Sequence, residues 1–193
     1  MKSQSNQTNG SMHGNHEVYN LHEILSGLIN IVDFLTIARE FVQLNELKIL
    51  VNHQHQYILS HYHAIVTMLE QQQTTMINTK YERLNKGSVV FGETSAIPKF
   101  PVKEFAEIND EKFSGQMLGL MKSMSSLLTV STLEIANPTF RTLLAQSVPD
   151  YIDMAYDLFL FQNQHNFYPV TVNIDTVQAL VKNYSSIPSS QLK

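Results

Sequence analysis

Cysteine is absent from the 193-residue chain. Its absence excludes disulfides, thiolate metal sites and a cysteine nucleophile. Charged side chains are also scarce, at 16 % of residues, with a net charge of -4 and an isoelectric point near 6.0. Because no stretch concentrates lysine or arginine, we expect neither a nucleic-acid interface nor a polybasic membrane patch.

A signal peptide and a long uninterrupted hydrophobic run are missing as well. Residues 1–16 contain one lysine and no apolar segment, so they do not have the pattern of a signal peptide. The most apolar run, from Leu21 to Ala38, is interrupted by His22, Glu23 and Asp33 and predicts no membrane span. We therefore expect a soluble protein that is made in the cytosol.

The chain does have helical periodicity. Hydrophobic residues make up 43 % of the sequence, and its length fits one domain with a sizeable core. In four segments the apolar side chains recur three and four positions apart, which places them on one face of a helix. These segments predict helices at about 17–43, 46–71, 109–135 and 138–165.

The connections indicate how these helices are arranged. Short loops that end at Asn45 and at Asn137-Pro138 predict two antiparallel helix pairs, with each asparagine as an N-cap. Residues 72–108 show no sustained period, and a crossover of that length lets the second and third helices run parallel. The predicted fold is all-α: a ferritin-like four-helix bundle made of two antiparallel helix pairs joined by a long crossover.

The boundaries follow from the same patterns. Residues 1–16 are predicted to be a flexible polar tail, 17–170 a single bundle domain, and 171–193 a C-terminal extension. Within that extension a short helix is predicted from Asp175 to Tyr184. A short strand at Val89 to Phe91 is an open alternative within the crossover.

The second helix contains four histidines, which raises the question of a metal site. No two of them lie three or four residues apart, the spacing that puts two ligands on one helix face. The bundle also lacks the Glu-x-x-His motif of ferritin-like di-metal proteins. We interpret these side chains as a solvated or interface face: His53, His55, His61 and His63.

A few polar residues fall on faces that should point inward: Gln54, Ser131, Glu134 and Ser147. Glu134 stands where a carboxylate ligand from the third helix would lie, whereas the fourth helix offers Asp150, Asp153 and Asp157 without a matching histidine. We predict a small buried polar network, with Asp153 and Asp157 as a solvated stripe. No catalytic, cofactor-binding or metal-binding residue is predicted.

The segment from Asn109 to Val170 carries short motifs in a characteristic order: Asn109-Asp110, Met117-Leu118-Gly119, Glu134 with Asn137-Pro138, Arg141, Ala155-Tyr156 and the closing Phe167-Tyr168-Pro169-Val170. In their order and spacing these motifs resemble the Coat F domain of bacterial spore coat proteins. The N-terminal half is similar to longer members of that family at His22–Gly27 and at Gln54-His55-Gln56, so the resemblance covers about residues 17–172. Family members commonly have glycine after the last helix, where this chain has His165-Asn166-Phe167.

This resemblance implies a ferritin-like bundle of the bacterial spore coat, with no known enzymatic activity and no cofactor. The expected partners are other spore coat proteins and further copies of the chain. The leading hypothesis is a structural or interaction protein. The alternative is a ferritin-like metal-binding or redox protein with a degenerate site around Glu134. A third hypothesis is a small-molecule carrier that uses the core between the helix pairs.

Overall fold

The computed structural model describes residues 15–71, 79–92, 99–171, 174–182 and 184. The predicted all-α class is confirmed. The short C-terminal helix runs from Ile174 to Lys182, so it begins one residue and ends two residues before the predicted bounds. The first fourteen residues and those from 185 onward, predicted as polar tails, lie outside the described residues. Within the described part the helices are α1 (Asn15–Phe41), α2 (Asn45–Gln71), a 3₁₀ turn (Phe105–Glu107), α3 (Asp110–Glu134), α4 (Pro138–Gln164) and α5 (Ile174–Lys182).

The four long helices form a bundle in which α1 packs against α2 and α3, and α4 packs against α3 and α2. Contacts between helix ends define their directions. Asp110, the first residue of α3, accepts hydrogen bonds from Gln43 N at 2.9 Å and Leu44 N at 2.7 Å, in the loop before α2. The amino ends of α2 and α3 therefore lie side by side, and the crossover between them spans the length of the bundle.

At the opposite end of the bundle, Glu17 of α1 contacts the loop between α3 and α4. Its carboxylate accepts from Ala136 N and Asn137 N, both at 3.0 Å, in the loop between α3 and α4. At the first end, the His165 ring that ends α4 lies 3.1 Å from the Glu46 carboxylate that begins α2. Two antiparallel pairs joined by a crossover are thus the arrangement that the structure has.

The start of α4 is capped by Asn137 as the sequence predicts, and Asn109 caps α3 in the same way. The Asn109 side chain accepts from Lys112 N at 3.2 Å. The Asn137 side chain accepts from Thr139 N at 2.9 Å and Phe140 N at 3.2 Å, and the proline that follows takes the first helical position. These bonds satisfy amides that have no partner within the helix.

The prediction that Asn45 caps α2 is wrong. The helix begins at Asn45, and Leu44 holds the N-cap position because its carbonyl accepts from Lys48 N at 3.0 Å. Leucine has no side-chain acceptor for the amides of the first turn of α2. The Asp110 carboxylate of α3 accepts instead from the amides just before that turn, Gln43 N and Leu44 N. This tertiary contact holds the start of α2.

The core is one cluster to which all four long helices contribute. By length and composition alone, His16–Phe41 of α1 is also apolar enough to cross a bilayer, unlike the expectation from its three charged or polar interruptions. In the bundle, 33 % of the most apolar window of this helix is buried, and other apolar residues, such as Val18, Ile29 and Ile37, are exposed. The buried α1 side chains are Leu21, Ile24, Leu28, Ile31, Leu35 and Ala38.

At the end of α4, Asn166 takes the left-handed position for which glycine is the usual residue. Asn166 adopts a left-handed conformation, with φ 60°. Phe167 N donates to Gln162 O at 2.7 Å, and Asn166 N donates to Asn163 O at 3.1 Å. This pair of bonds is a Schellman motif, in which asparagine is the usual substitute for glycine at the left-handed position.

We expect Asn166→Ala to lower the free energy of unfolding by about 1 kcal/mol, because a Cβ without a compensating polar group is strained in the left-handed region. Asn166→Gly should keep or slightly raise stability at the same site. Urea unfolding of both variants measures the difference. Equal midpoints for the alanine and glycine variants would contradict the role of this turn.

Candidate functional site: the polar layer between α2, α4 and the crossover

Three of the four residues expected to point inward do so, and Glu134 does not. Gln54, Ser131 and Ser147 are buried. The Glu134 side chain is exposed and accepts from Asn20 Nδ2 at 2.9 Å. The inward prediction for Glu134 is wrong because α3 ends at this residue and the chain turns extended, which gives the buried position to Ile135.

The interpretation of the α2 histidines as a solvated face is wrong for two of the four. His55 and His61 are buried, whereas His53 is half-buried and His63 is exposed. The two buried rings face different neighbours. His55 Nε2 lies 3.2 Å from Thr36 Oγ1 of α1, and His61 faces α4. The divergence predicted from their spacing is therefore correct, although the solvent exposure is not.

His61 is the centre of a buried chain of polar groups. Its Nδ1 lies 3.1 Å from Tyr151 OH, and its Nε2 lies 3.0 Å from Ser147 Oγ. Since Ser147 Oγ donates to Leu143 O at 2.9 Å, the serine oxygen accepts from His61 Nε2–H and the ring accepts the Tyr151 proton at Nδ1. Burial lowers the pKa of His61 to about 4, so the ring is neutral near pH 7.

This serine and histidine have the pairing of a nucleophile and its base but not the access. Ser147, His61 and Tyr151 are all buried, and the serine proton is directed to a main-chain carbonyl. A nucleophile must reach a substrate, and its proton must be directed to the base. The arrangement is a satisfied internal network. The predicted network was made of Gln54, Ser131, Glu134 and Ser147, and of these only Ser147 belongs to this chain of groups.

Asp150 joins α4 to both α2 and the crossover. Its carboxylate accepts from Tyr57 OH at 2.5 Å and from Tyr81 N at 3.1 Å. Burial raises the pKa of Asp150, and these two hydrogen bonds oppose that rise. Burial and the Asp150 carboxylate together raise the pKa of Tyr57 well above its usual range, so Tyr57 remains a donor.

Asp157, seven residues after Asp150 on α4, also joins this helix to the crossover. The prediction that it belongs to a solvated stripe is wrong, because its side chain is fully buried. The carboxylate accepts from Tyr81 OH at 2.9 Å, Leu84 N at 2.9 Å and Arg83 Nε at 3.1 Å. The partner expected in that stripe, Asp153, is half-buried.

Asn163 completes this row of anchors at the end of α4. Its amide accepts from Val90 N at 2.7 Å and donates to Val90 O at 3.0 Å. Next to it, Phe91 and Val170 form an isolated parallel bridge, with Gly92 N donating to Val170 O at 3.2 Å. In the described part of the crossover, the strand alternative is reduced to this bridge.

Sequence reasoning missed these anchors, although a signal was present. Asp150 and Asp157 lie seven residues apart and Asn163 six residues further, so they follow one another along a helix with many apolar positions. A repeated acid at that spacing indicates a common neighbour. The identity of that neighbour, the backbone of residues 81–90, could not be read from α4 alone.

The described residues offer little to a metal ion or a small molecule in the interior. Across residues 15–71, 79–92 and 99–171, no three histidine, aspartate or glutamate side chains come together as a ligand set. A hollow of about 510 Å³ lies at the end of the bundle, lined by apolar rings that include Phe41, Phe105 and Phe113. It lies where the ends of both helix pairs meet the 3₁₀ turn, and not in the core between the pairs, where the carrier hypothesis requires a site.

Comparison with known proteins extends these observations. Residues 109–171 match the Coat F domain. The spore coat protein F-like protein YhcQ of Bacillus subtilis (strain 168) is 33 % identical over 158 residues, which is 81 % of this chain and 73 % of that relative. No solved structure matches the chain significantly.

Proposed function

The chain belongs to the Coat F family of spore coat proteins, and we propose that it is a structural and interaction protein of the endospore coat without catalytic activity. It is a protein of the spore coat, made in the sporulating cell. The observation that carries the structural role is the use of the polar layer. Its carboxylates hold the crossover against α4, and neither Asp150 nor Asp157 lines the larger hollows among the described residues.

Each buried carboxylate in this layer already has donors from the crossover. Asp150 accepts from Tyr57 OH and Tyr81 N, and Asp157 accepts from Tyr81 OH, Leu84 N and Arg83. A carboxylate that is hydrogen-bonded in this way stabilises the fold, because moving any of these groups leaves a buried polar atom without a partner. These bonds support the hypothesis that the layer makes the bundle a rigid unit for assembly, and they speak against a reactive centre.

We propose that residues 17–170 act as the assembly unit and that the outer faces of its helices contact other coat proteins and further copies of the chain. Several large apolar side chains on these faces are more than half exposed, among them Ile37 on α1 and Leu133 on α3. Exposed apolar groups of this kind are common at protein–protein contacts. The family membership indicates the setting in which these contacts are made.

The proposed function is tested by deleting the gene and comparing the spores with those of the parent strain and of a complemented strain. We expect altered coat protein composition or reduced spore resistance, restored by the wild-type chain. Coat composition and resistance identical to those of the parent would overturn the proposal. Complementation with Glu134→Ala tests the metal alternative in the same background, and full restoration is the expected result.

Elemental analysis of the purified protein tests the metal alternative directly. We expect no stoichiometric iron or manganese, and no change on Glu134→Ala, because the Glu134 carboxylate is exposed and is bonded to Asn20. Metal selectivity and affinity require several ligands converging on one point. Stoichiometric metal that is lost in the Glu134 variant would establish the alternative.

A further inference from the structure

The two helix pairs repeat each other at a constant interval along the chain. Each end of α4 (Pro138–Gln164) lies 93 residues after the corresponding end of α2 (Asn45–Gln71). The same interval relates buried positions in all four long helices. Examples are Leu28 and Met121, Leu35 and Leu128, and Val51 and Leu144. The two pairs are therefore equivalent in length and in the face that each one buries.

Contacts at the two ends of the bundle show how these equivalent pairs are placed. Glu17, near the start of α1, accepts from two amides of the loop between α3 and α4, and Asp110, at the start of α3, accepts from two amides of the loop between α1 and α2. The two acids lie 93 residues apart, and so do the residues that donate to them: Gln43 and Ala136, and Leu44 and Asn137. Reciprocal contacts of this kind define a twofold interface. The pairs are therefore related by an approximate twofold axis.

Hydrogen bonds in the polar layer follow the same axis. Ser147 Oγ lies 3.0 Å from His61 Nε2, and Gln54 Nε2 donates to Met154 O at 3.1 Å. Positions 54 and 147 are counterparts at the 93-residue interval, as are positions 61 and 154. The two hydrogen bonds therefore occupy equivalent places on opposite sides of the axis, although the groups that make them differ.

Tyr57 and Asp150 lie at the axis itself, because each is the counterpart of the other. The Tyr57 hydroxyl donates to the Asp150 carboxylate at 2.5 Å, and both side chains are buried. If two copies of the second helix pair met in this arrangement, two buried carboxylates would repel each other or one would have to hold a proton. Two copies of the first pair would bring together two phenols, and one hydroxyl proton would lack an acceptor. The unlike pairing supplies both a donor and an anionic acceptor.

We propose that the Tyr57–Asp150 bond, with the two hydrogen bonds beside it, is a specificity element that makes the first helix pair bind the second and disfavours the pairing of two like pairs. Buried polar groups at the interface of coiled coils select partners in the same way. The inner face of α3 and α4, which lie within the Coat F match, therefore fits a helix hairpin of its own kind that has a donor at the axis. Residues 15–71 supply that hairpin. The inference goes beyond the proposed function and does not depend on it.

The test uses the full-length protein with one protease site inserted between residues 92 and 99 and cleaved after folding. The cleaved protein is unfolded in urea and refolded by dilution, so the crossover no longer dictates which helix pairs meet. Because the two fragments differ in mass, native mass spectrometry distinguishes the unlike complex from the two like complexes. We expect the wild type to form the unlike complex and neither like complex.

An exchange of the two groups across the axis gives the sharpest result. Tyr57→Asp places a second carboxylate beside Asp150 and should weaken the unlike complex by about 10-fold or more, measured by sedimentation velocity over a dilution series. Adding Asp150→Tyr restores a donor and an acceptor with their sides exchanged, so the double variant should recover about 10-fold of the loss. Recovery is incomplete, because Tyr81 N also donates to Asp150. The matched control, Gln56→Asp, adds the same charge at an exposed neighbouring position and should associate like the wild type.

A milder variant keeps the inference testable should Tyr57→Asp fail to fold. Tyr57→Phe retains the ring and removes only the donor, and it should weaken the unlike complex by about 10-fold. Four results would overturn the inference: wild-type fragments that form like complexes as readily as the unlike one, a double variant that associates no better than Tyr57→Asp, a Tyr57→Phe protein that pairs as tightly as the wild type, and fragments that do not recombine.

Discussion

Asp157→Ala is expected to lower the free energy of unfolding by about 3 kcal/mol, the cost of leaving buried donors without an acceptor. The substitution removes the acceptor of Tyr81 OH, in a buried residue, and of Leu84 N, in a residue that is 41 % exposed. It also removes the partner of Arg83, whose side chain is 30 % exposed and therefore contributes less. Chemical denaturation with urea measures the loss.

The matched control for this prediction is Asp153→Ala, on the same helix and half-buried. We expect it to change the free energy of unfolding by no more than about 0.5 kcal/mol, because it removes none of the hydrogen bonds to the crossover described above. Hydrogen exchange adds a local readout, because the Leu84 amide should lose protection in the Asp157 variant before the α3 amides do. Equal destabilisation by the two substitutions would refute the role of Asp157 as an anchor of the crossover.

Lowering the pH is expected to destabilise the bundle through His61, by about 3 kcal/mol between about pH 6.5 and pH 4. The unfolded chain binds a proton at this histidine near its ordinary pKa of 6.5, whereas burial lowers the pKa of the folded ring to about 4. Between these values the unfolded state holds more protons, so the free energy of unfolding falls as the pH falls. Above pH 6.5 the ring is neutral in both states and the contribution is complete.

Two other groups titrate in the same region. Burial and Arg39 lower the pKa of His55, which acts in the same direction as His61. Burial raises the pKa of Asp150, so its folded form holds more protons and acts in the opposite direction. The His61 contribution is isolated by comparing the wild type with His61→Gln across the pH range, with exposed His63→Gln as the control. If the His61 variant kept the wild-type pH dependence, the prediction would fail.

Much of the fold could be predicted because it depends on neighbouring residues. The starts of α3 and α4 at Asn109 and Asn137 require only a side chain that reaches an amide two or three residues later. The α2 start shows the limit of that reasoning. Asn45 was expected to cap α2, but it is the first residue of the helix, and the contact that holds this start comes from Asp110, far along the chain, which accepts from the Leu44 amide.

The sequence predicted that the interior contains polar side chains, but it did not predict all the residues that supply them. Gln54 and Ser147 are buried as their helical positions indicate, because burial of a helix face follows from its period. Glu134 satisfies the same period and is exposed, because the helix ends there. Asp157 and His61 lie outside the faces assigned from apolar spacing, and their burial depends on a crossover and a neighbouring helix whose positions no local pattern determines.

The sequence by itself determined the helical class, the two short loops that make antiparallel pairs, one of the two predicted caps and the family. Each of these depends on local hydrogen bonds, on the 3.6-residue period or on the order of short motifs. Only the tertiary structure decided that Asp150 and Asp157 are anchors of the crossover, since their donors on Tyr81 lie 69 and 76 residues away. A charged side chain is buried only where the fold brings it donors, and that depends on the whole chain.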